Sequence, residues 1–118
     1  GGHVSTVPGM PTILLHTTGR RSGRDRTSPL FYVPAGDGVA VVDTNYGREP
    51  RPGWSHNLAA DPDAAFTLAG VRRDARARTA GGEERTRLWS DLVDLYPPYE
   101  DYAAGLRRSP RVWVLDPV

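Results

Sequence analysis

Residues 27–44, TSPLFYVPAGDGVAVVDT, decide the fold class of this chain. Thr27–Pro34 and Val39–Thr44 are rich in β-branched and aromatic side chains, as strands are. Between them, Ala35–Gly38 carries an Asp-Gly pair, which supplies the positive φ of a tight hairpin turn at little cost. We therefore predict two antiparallel strands joined by a hairpin.

Outward from this hairpin, four more segments have the composition of strands: Pro11–Thr18, Ala64–Ala69, Val71–Thr79 and Arg111–Leu115. The second and third meet at Gly70, and the third alternates charged residues with alanines, which indicates one solvated face. Neighbouring strands are close in sequence and do not alternate with helices. This order favours hairpins and a mostly antiparallel barrel.

Two segments have helical patterns. Trp54–Ala60 predicts a short helix that stops before Pro62. Glu83–Leu95 begins with acidic residues, repeats apolar residues at helical spacing and is ended by a Pro-Pro pair. Residues 45–53, NYGREPRPG, predict irregular structure. The predicted fold is mainly β (α+β), an antiparallel barrel of about six strands with short peripheral helices.

The composition restricts the class of protein. A chain of 118 residues, 25% of them charged, suits a single globular domain over residues 1–118. The absence of cysteine excludes disulfides, thiolate metal sites and thiol nucleophiles. Without a signal-peptide pattern or a long apolar run, we expect a cytoplasmic location.

The turn Gly19–Ser28, GRRSGRDRTS, holds four arginines although the net charge of the chain is only +1. Arginine binds phosphate or carboxylate oxygens through two parallel N–H bonds, and glycines let backbone N–H groups turn inward. The turn predicts either an anion cradle or an exposed basic loop, and charge alone does not separate these. A nucleic-acid site is the weaker hypothesis, because no nucleic-acid motif accompanies the turn.

Tyrosines and histidines are the other candidate groups. Residues 96–102, YPPYEDY, place Tyr99 and Tyr102 on one face if the segment is helical, which suits a flat organic molecule. Taken alone, these tyrosines fit packing at the edge of the core better. The histidines at positions 3, 16 and 56 lack the spacing of a metal site. We interpret His16 as a hydrogen-bonded core residue and His56 as a local cap.

Five segments together resemble one family, the deazaflavin (coenzyme F-420)-dependent nitroreductases, a branch of the split β-barrel oxidoreductases. In chain order they are LLHTTGRRSGRDRTSPLFYV (14–33), PGWSHNLAADP (52–62), GGEER to LW (81–89), YPPYEDY (96–102) and VWVLDP (112–117). Each segment alone would be a weak match. Their order and spacing agree over nearly the whole chain, so the set is specific.

The resemblance implies a split antiparallel β-barrel with the coenzyme in a groove. By motif position, the phosphate and acidic oligoglutamate tail of the coenzyme are assigned to Arg20, Arg21, Ser22, Gly23, Arg24 and Arg26, with Thr27 and Pro29 following along the groove. The resemblance also implies that the deazaflavin ring lies against Thr44, Asn45, Tyr46 and Gly47 and that the groove is closed by Trp54 and Asn57. The catalytic, substrate-facing side is assigned to Tyr96, Tyr99 and Tyr102.

The implied reaction is hydride transfer from reduced coenzyme F-420 to a flat acceptor, a quinone or a nitroaromatic. The protein would orient the reactants and exclude water, with a tyrosine hydroxyl or an ordered water as the proton donor. FMN is the weaker cofactor candidate, and a non-catalytic deazaflavin or flavin carrier is the alternative function. We expect a monomer or a homodimer, no metal and no nucleic acid, and peripheral membrane association if the acceptor is a quinone.

Three residues depart from the family pattern. Ser55 replaces a tyrosine, which is expected to open space near the ring, and Tyr46 replaces a small residue, which is expected to refill or gate that space. Asp43 also replaces a small residue, and its charge would disfavour hydride acceptors if it pointed inward. The helix that the family carries before the first strand is missing from the sequence, which predicts a more open site.

Overall fold

The structure, a computed structural model, describes residues 9–118, and the expected loss of an N-terminal helix lies outside those residues. Its strands are β1 Thr12–Thr18, β2 Asp25–Phe31, β3 Val33–Ala35, β4 Gly38–Val42, β5 Asp63–Leu68, β6 Val71–Thr79 and β7 Val112–Pro117. Its helices are α1 Gly53–Ala60, α2 Gly82–Leu95 and α3 Pro98–Ala104, with a 3₁₀ turn at Asn45–Gly47. All strand pairs are antiparallel, in the order β2-β1-β5-β6-β7-β4-β3.

The sheet curls until strands from its two halves share one core. Ile13 and Leu15 on β1 cluster with Val39 and Val41 on β4, although three strands separate β1 from β4 in the sheet. Trp54 on α1 closes the same cluster. The predicted mainly β (α+β) split barrel with peripheral helices is therefore confirmed, with seven strands in the described part instead of about six.

A second cluster covers the outer face of β4 and β7. Their residues alternate, so that Val41 packs inside the curl while Ala40 and Val42 pack outside. Leu88 and Leu92 of α2 lie over this outer face. Because both faces of β4 are buried, its sequence is a continuous apolar run, as expected for a strand of this kind.

The prediction of one strand over Thr27–Pro34 is wrong. The chain pairs with β1 as far as Phe31, breaks at Tyr32, and then pairs with β4 as the short strand β3. β2 and β3 are the two edge strands of the sheet, and the curl brings these edges together, so one extended segment passes from edge to edge. The predicted hairpin is confirmed, because Ala35 pairs with Gly38 across a two-residue turn.

The region predicted to be irregular contains a 3₁₀ turn, Asn45–Gly47, and the segment after the Pro-Pro pair forms α3. The predicted helices of α1 and α2 are confirmed, each beginning one residue earlier than predicted. Among the helices described in residues 9–118, none has the length and apolar content that crossing a membrane requires. Residues 43–52, which include the 3₁₀ turn, connect β4 to α1.

Candidate functional site

One groove runs along β2 and consists of two adjoining cavities. The first has a volume of about 400 Å³ and is called the arginine end. The second has a volume of about 530 Å³ and is called the tyrosine end. Ser28 and Trp54 line both cavities, so the two ends are continuous.

The arginine end is built on the turn between β1 and β2. It is lined by Gly19, Arg20, Arg21, Ser22, Arg26, Thr27, Ser28, Gly53, Trp54 and Asn57. Gly19 N–H donates to the Arg24 carbonyl at 2.7 Å, and Gly23, at φ +69°, donates to the Gly19 carbonyl at 2.8 Å. A Cβ on Gly19 would lie 2.7 Å from Ser22 Oγ and 3.2 Å from the Arg24 carbonyl oxygen, so a larger residue here would force the Ser22 side chain to move.

Asn57 fixes this turn to the body of the protein. Its Oδ1 accepts a hydrogen bond from Arg20 N–H at 3.0 Å, and its Nδ2 donates to Thr17 Oγ1 at 3.1 Å. The side chain is buried, so both bonds are shielded from water. Asn57 therefore lines the groove, as the resemblance implies, and also sets the position of the arginine turn.

The positive charge of the turn is not neutralised within the described chain. Arg20, Arg21, Arg24 and Arg26 are exposed, and no carboxylate of residues 9–118 forms an ion pair with any of them. Burial, followed by the nearby charge of Arg20, lowers the pKa of His56. Guanidinium groups that face a cavity without a carboxylate partner suit a multiply anionic ligand.

The tyrosine end is walled by aromatic rings. It is lined by Thr12, Ser28, Pro29, Leu30, Phe31, Val42, Thr44, Asn45, Tyr46, Pro52, Trp54, Tyr96, Tyr99 and Tyr102. The ring of Tyr96 lies edge-on to those of Phe31 and Tyr99, with centroids 5.3 and 5.0 Å apart. A site of this size with aromatic walls and several hydroxyl groups suits a flat, partly polar molecule.

The phenols at this end hold their protons strongly. Burial, and then the neighbouring tyrosines, raise the pKa of Tyr99. The hydrogen bond between the hydroxyls of Tyr96 and Tyr102, 3.5 Å apart, is the main reason that the pKa of Tyr102 is raised. Near neutral pH both residues are therefore hydroxyl donors and not phenolates.

The structure brings the predicted site residues together, except Gly23, Arg24 and Gly47, which do not line the groove. Gly47 instead lies behind the wall, where an added Cβ would be 3.5 Å from Tyr102 Cα. Gly19 and Ser28 line the groove as parts of the predicted arginine turn, whereas sequence reasoning missed six other lining residues: Thr12, Leu30, Phe31, Val42, Pro52 and Gly53. Leu30 and Phe31 directly follow the assigned Pro29 on β2, and this position could have pointed to them.

Ser55 does not open space in the groove, as was expected, and the condition stated for Asp43, that it points inward, is not met. Ser55 is buried away from the groove, where its hydroxyl donates to Asp43 Oδ2 at 2.7 Å and accepts from Trp113 Nε1 at 2.9 Å. Asp43 is fully buried and paired with Arg51 at 2.8 Å and Arg108 at 3.2 Å. It therefore adds no uncompensated negative charge to the groove.

His16 is half-buried and hydrogen-bonded, as the sequence predicted. Its two ring nitrogens lie 3.1 Å from Thr27 Oγ1 and 2.7 Å from Thr67 Oγ1. Its pKa is lowered, mainly by burial and then by Arg72. A neutral imidazole that joins β1 to both neighbouring strands is a structural residue of the sheet.

The chain is similar in sequence to one protein family and to several named proteins. Residues 1–117 match the model of a family described as F420H2-dependent quinone reductase. A Mycobacterium tuberculosis H37Rv protein, named as a candidate F420H2-dependent quinone reductase, is 34% identical over 108 residues, which cover 92% of this chain and 91% of that protein. A second protein of that strain, named F420H2-dependent quinone reductase, is 36% identical over 86 residues, covering 70% of this chain and 58% of its own length.

A solved structure is also similar to this chain. It is described as a reductase dependent on F420-H2, has 32% sequence identity and superimposes with a TM-score of 0.84. The match covers 98% of this chain and 100% of the other.

Proposed function

Since this chain belongs to the F420H2-dependent quinone reductase family, we propose that its groove binds coenzyme F-420 and a quinone in a fixed order along β2. The phosphate and acidic tail lie at the arginine end, and the deazaflavin ring lies beside the quinone at the tyrosine end. As a member of this family, the chain is an oxidoreductase whose cofactor is coenzyme F-420. The observation that carries the arrangement is the continuity of the two ends through Ser28 and Trp54.

The residues present fit this coenzyme. Its phosphate and carboxylates need several cationic donors, and the arginines lining the groove have no carboxylate partner among residues 9–118. Its flat ring needs apolar and aromatic walls, which Trp54, Phe31 and the tyrosines supply. Arg20, Arg21 and Arg26 would hold the anionic part, because they are the arginines that face the cavity.

When bound, the reduced coenzyme supplies a hydride, and a quinone that accepts it needs one proton to become the hydroquinone. We assign this proton to the hydroxyl of Tyr99, which lines the tyrosine end and stays protonated because its pKa is raised. A donor placed beside an oxygen that gains negative charge lowers the barrier of such a step. The remaining walls orient the two rings and exclude water.

For a quinone dissolved in a membrane, we propose that the chain meets the bilayer surface through the mouth of the tyrosine end. Tyr46 lies at this mouth with 75% of its surface exposed. An amphipathic aromatic side chain of this kind suits the interface between lipid and water. A nitroaromatic acceptor has the same flat shape and is proposed as a second substrate class.

Fluorescence titration with coenzyme F-420, FMN and a short oligonucleotide tests the proposed function. We expect saturable binding of coenzyme F-420, weaker binding of FMN and no binding of the oligonucleotide at physiological salt. Tight binding of FMN with none of coenzyme F-420 would overturn the cofactor assignment. Salt-sensitive binding of the oligonucleotide alone would favour a nucleic-acid module, and binding of the coenzyme without quinone turnover would favour a carrier.

The variant Tyr99→Phe is expected to lower kcat about a hundredfold, the lower end of what a positioned proton donor contributes, and to leave the Kd for coenzyme F-420 unchanged because the ring stays. In the unchanged protein, deprotonation of Tyr99 should not reduce the rate between pH 7 and about pH 9, since its pKa lies above the ordinary value. Steady-state kinetics across this range, with the coenzyme titration beside it, measure both effects. The matched control is Tyr32→Phe, because Tyr32 does not line the groove. An equal kcat in the unchanged protein, Tyr99→Phe and Tyr32→Phe would contradict the assignment of Tyr99 as the proton donor.

A further inference from the structure

Tyr46 has two features that cost free energy. Its side chain is 75% exposed although it is large and aromatic, and its backbone has φ +58°. The preceding Asn45 is also left-handed, at φ +49°. Non-glycine residues adopt this region rarely, and such strain persists where the surroundings hold it and often where function needs it.

The guanidinium of Arg108 holds the backbone on both sides of this turn. Its Nη2 donates to the carbonyls of Asp43 at 2.9 Å and Arg48 at 3.0 Å, and its Nε donates to that of Glu49 at 2.6 Å. The Thr44 carbonyl lies 3.4 Å from the same Nη2. One planar donor group therefore binds the chain before and after Asn45–Gly47.

Buried charge in turn fixes Arg108. Asp43 accepts from Arg108 Nη1 at 3.2 Å and is fully buried, whereas 14% of the Arg108 side chain is exposed. Arg51 and Ser55 hold the other carboxylate oxygen at 2.8 and 2.7 Å. Asp43 and Ser55 are thus hydrogen-bonded to one another, and through Arg108 they support the turn that carries Tyr46.

The turn places the Tyr46 ring at the mouth of the tyrosine end. Its centroid lies 6.2 Å from that of Tyr102, with the ring planes at 66°. Tyr46 lines the cavity together with Thr44 and Asn45 and is otherwise open to solvent. A flat molecule that enters the mouth would meet the Tyr46 ring as an additional aromatic wall.

We propose that Tyr46 is a specificity-determining residue for the hydride acceptor, presented at the mouth of the groove by the positioning residue Arg108. The proposal rests on the proposed function of the groove. A ring held at the mouth adds contact to the outer part of a large flat acceptor and little to a small one. The chain should therefore prefer quinones of two fused rings over quinones of one ring.

The first test compares kcat/KM for 1,4-naphthoquinone and 1,4-benzoquinone in the unchanged protein, Tyr46→Gly and Tyr46→Phe. We expect the naphthoquinone preference to fall about three- to tenfold in Tyr46→Gly, the equivalent of one aromatic contact, and to persist in Tyr46→Phe. Glycine accepts a positive φ, so this variant should fold. An unchanged preference in Tyr46→Gly overturns the proposal.

The second test measures the turn in the coenzyme-free protein by hydrogen exchange. The amides of Gly47 and Arg48 donate to the carbonyls of Thr44 and Asn45, each at 3.0 Å, and report directly on the turn. Arg108→Lys keeps the charge beside Asp43 but loses the planar fork, so exchange should become about tenfold faster and the quinone preference should fall. Unchanged exchange overturns the role of Arg108.

A control and one further comparison separate the possible failures. Arg85→Lys, whose guanidinium bonds the Pro110 carbonyl instead of this turn, should leave the exchange of Gly47 and Arg48 unchanged. If the unchanged protein binds coenzyme F-420 and reduces both quinones while Tyr46→Gly keeps the same preference, only the specificity proposal fails. If the unchanged protein reduces neither quinone, the proposed function itself fails.

Discussion

The variant Arg21→Glu is expected to bind coenzyme F-420 at least about a hundredfold more weakly than the unchanged chain. The substitution removes a charge-assisted hydrogen-bond donor from the arginine end and puts a repelling carboxylate in its place, which together exceed about 3 kcal/mol. Arg21 is exposed and forms no ion pair with any described carboxylate, so the substitution breaks no ion pair within the described residues. Fluorescence titration gives the Kd, and thermal unfolding should give an unchanged Tm.

The matched control for this variant is Arg24→Glu. It makes the same change of charge in the same turn, but Arg24 does not line either end of the groove. Arg24→Glu should weaken the binding of coenzyme F-420 only a few-fold, because it reduces the long-range attraction between the turn and the coenzyme. High salt should abolish this difference. Equal losses in the two variants would mean that diffuse charge and not contact attracts the coenzyme, and full binding by Arg21→Glu would place the anion site elsewhere.

The parts of the fold that the sequence predicted well are governed by local chemistry. The hairpin of Gly36 and Asp37 and the end of α2 before the Pro-Pro pair depend on residues next to each other in the chain. The passage from β2 to β3 at Tyr32 was not predictable in the same way, because both strands have similar compositions. What separates them is the choice of partner, β1 or β4, and that choice appears only when the sheet curls.

The same distinction between neighbouring and distant residues applies to the candidate site. The arginine turn and the tyrosine segment are short, and their chemistry is visible in consecutive residues. The role of Asp43 was missed, because its partners Arg51 and Arg108 lie 8 and 65 residues away. Among fifteen basic residues, nothing in the sequence marks these two as partners of a buried carboxylate.

The variant Asp43→Ala is expected to lower the free energy of unfolding by about 3–5 kcal/mol, the cost of removing one partner from a buried charge cluster. It leaves Arg51 and Arg108 facing each other across the emptied site, with 17% and 14% of their side chains exposed. It also removes the acceptors of the Arg111 N–H, at 2.7 Å, and of the Ser55 hydroxyl. Urea unfolding measures the loss as a lower midpoint at constant m-value.

The matched comparison for this loss of unfolding free energy is the variant Asp63→Ala. Asp63 also pairs with an arginine, Arg76 at 3.0 Å, but 78% of its side chain is exposed. Water and salt screen such a pair, so its loss should cost less than about 1 kcal/mol. If Asp43→Ala costs no more than Asp63→Ala, water must reach Arg51 and Arg108 once the carboxylate is gone. The cluster would then be too open to hold Arg108, and the turn that presents Tyr46 would need another support.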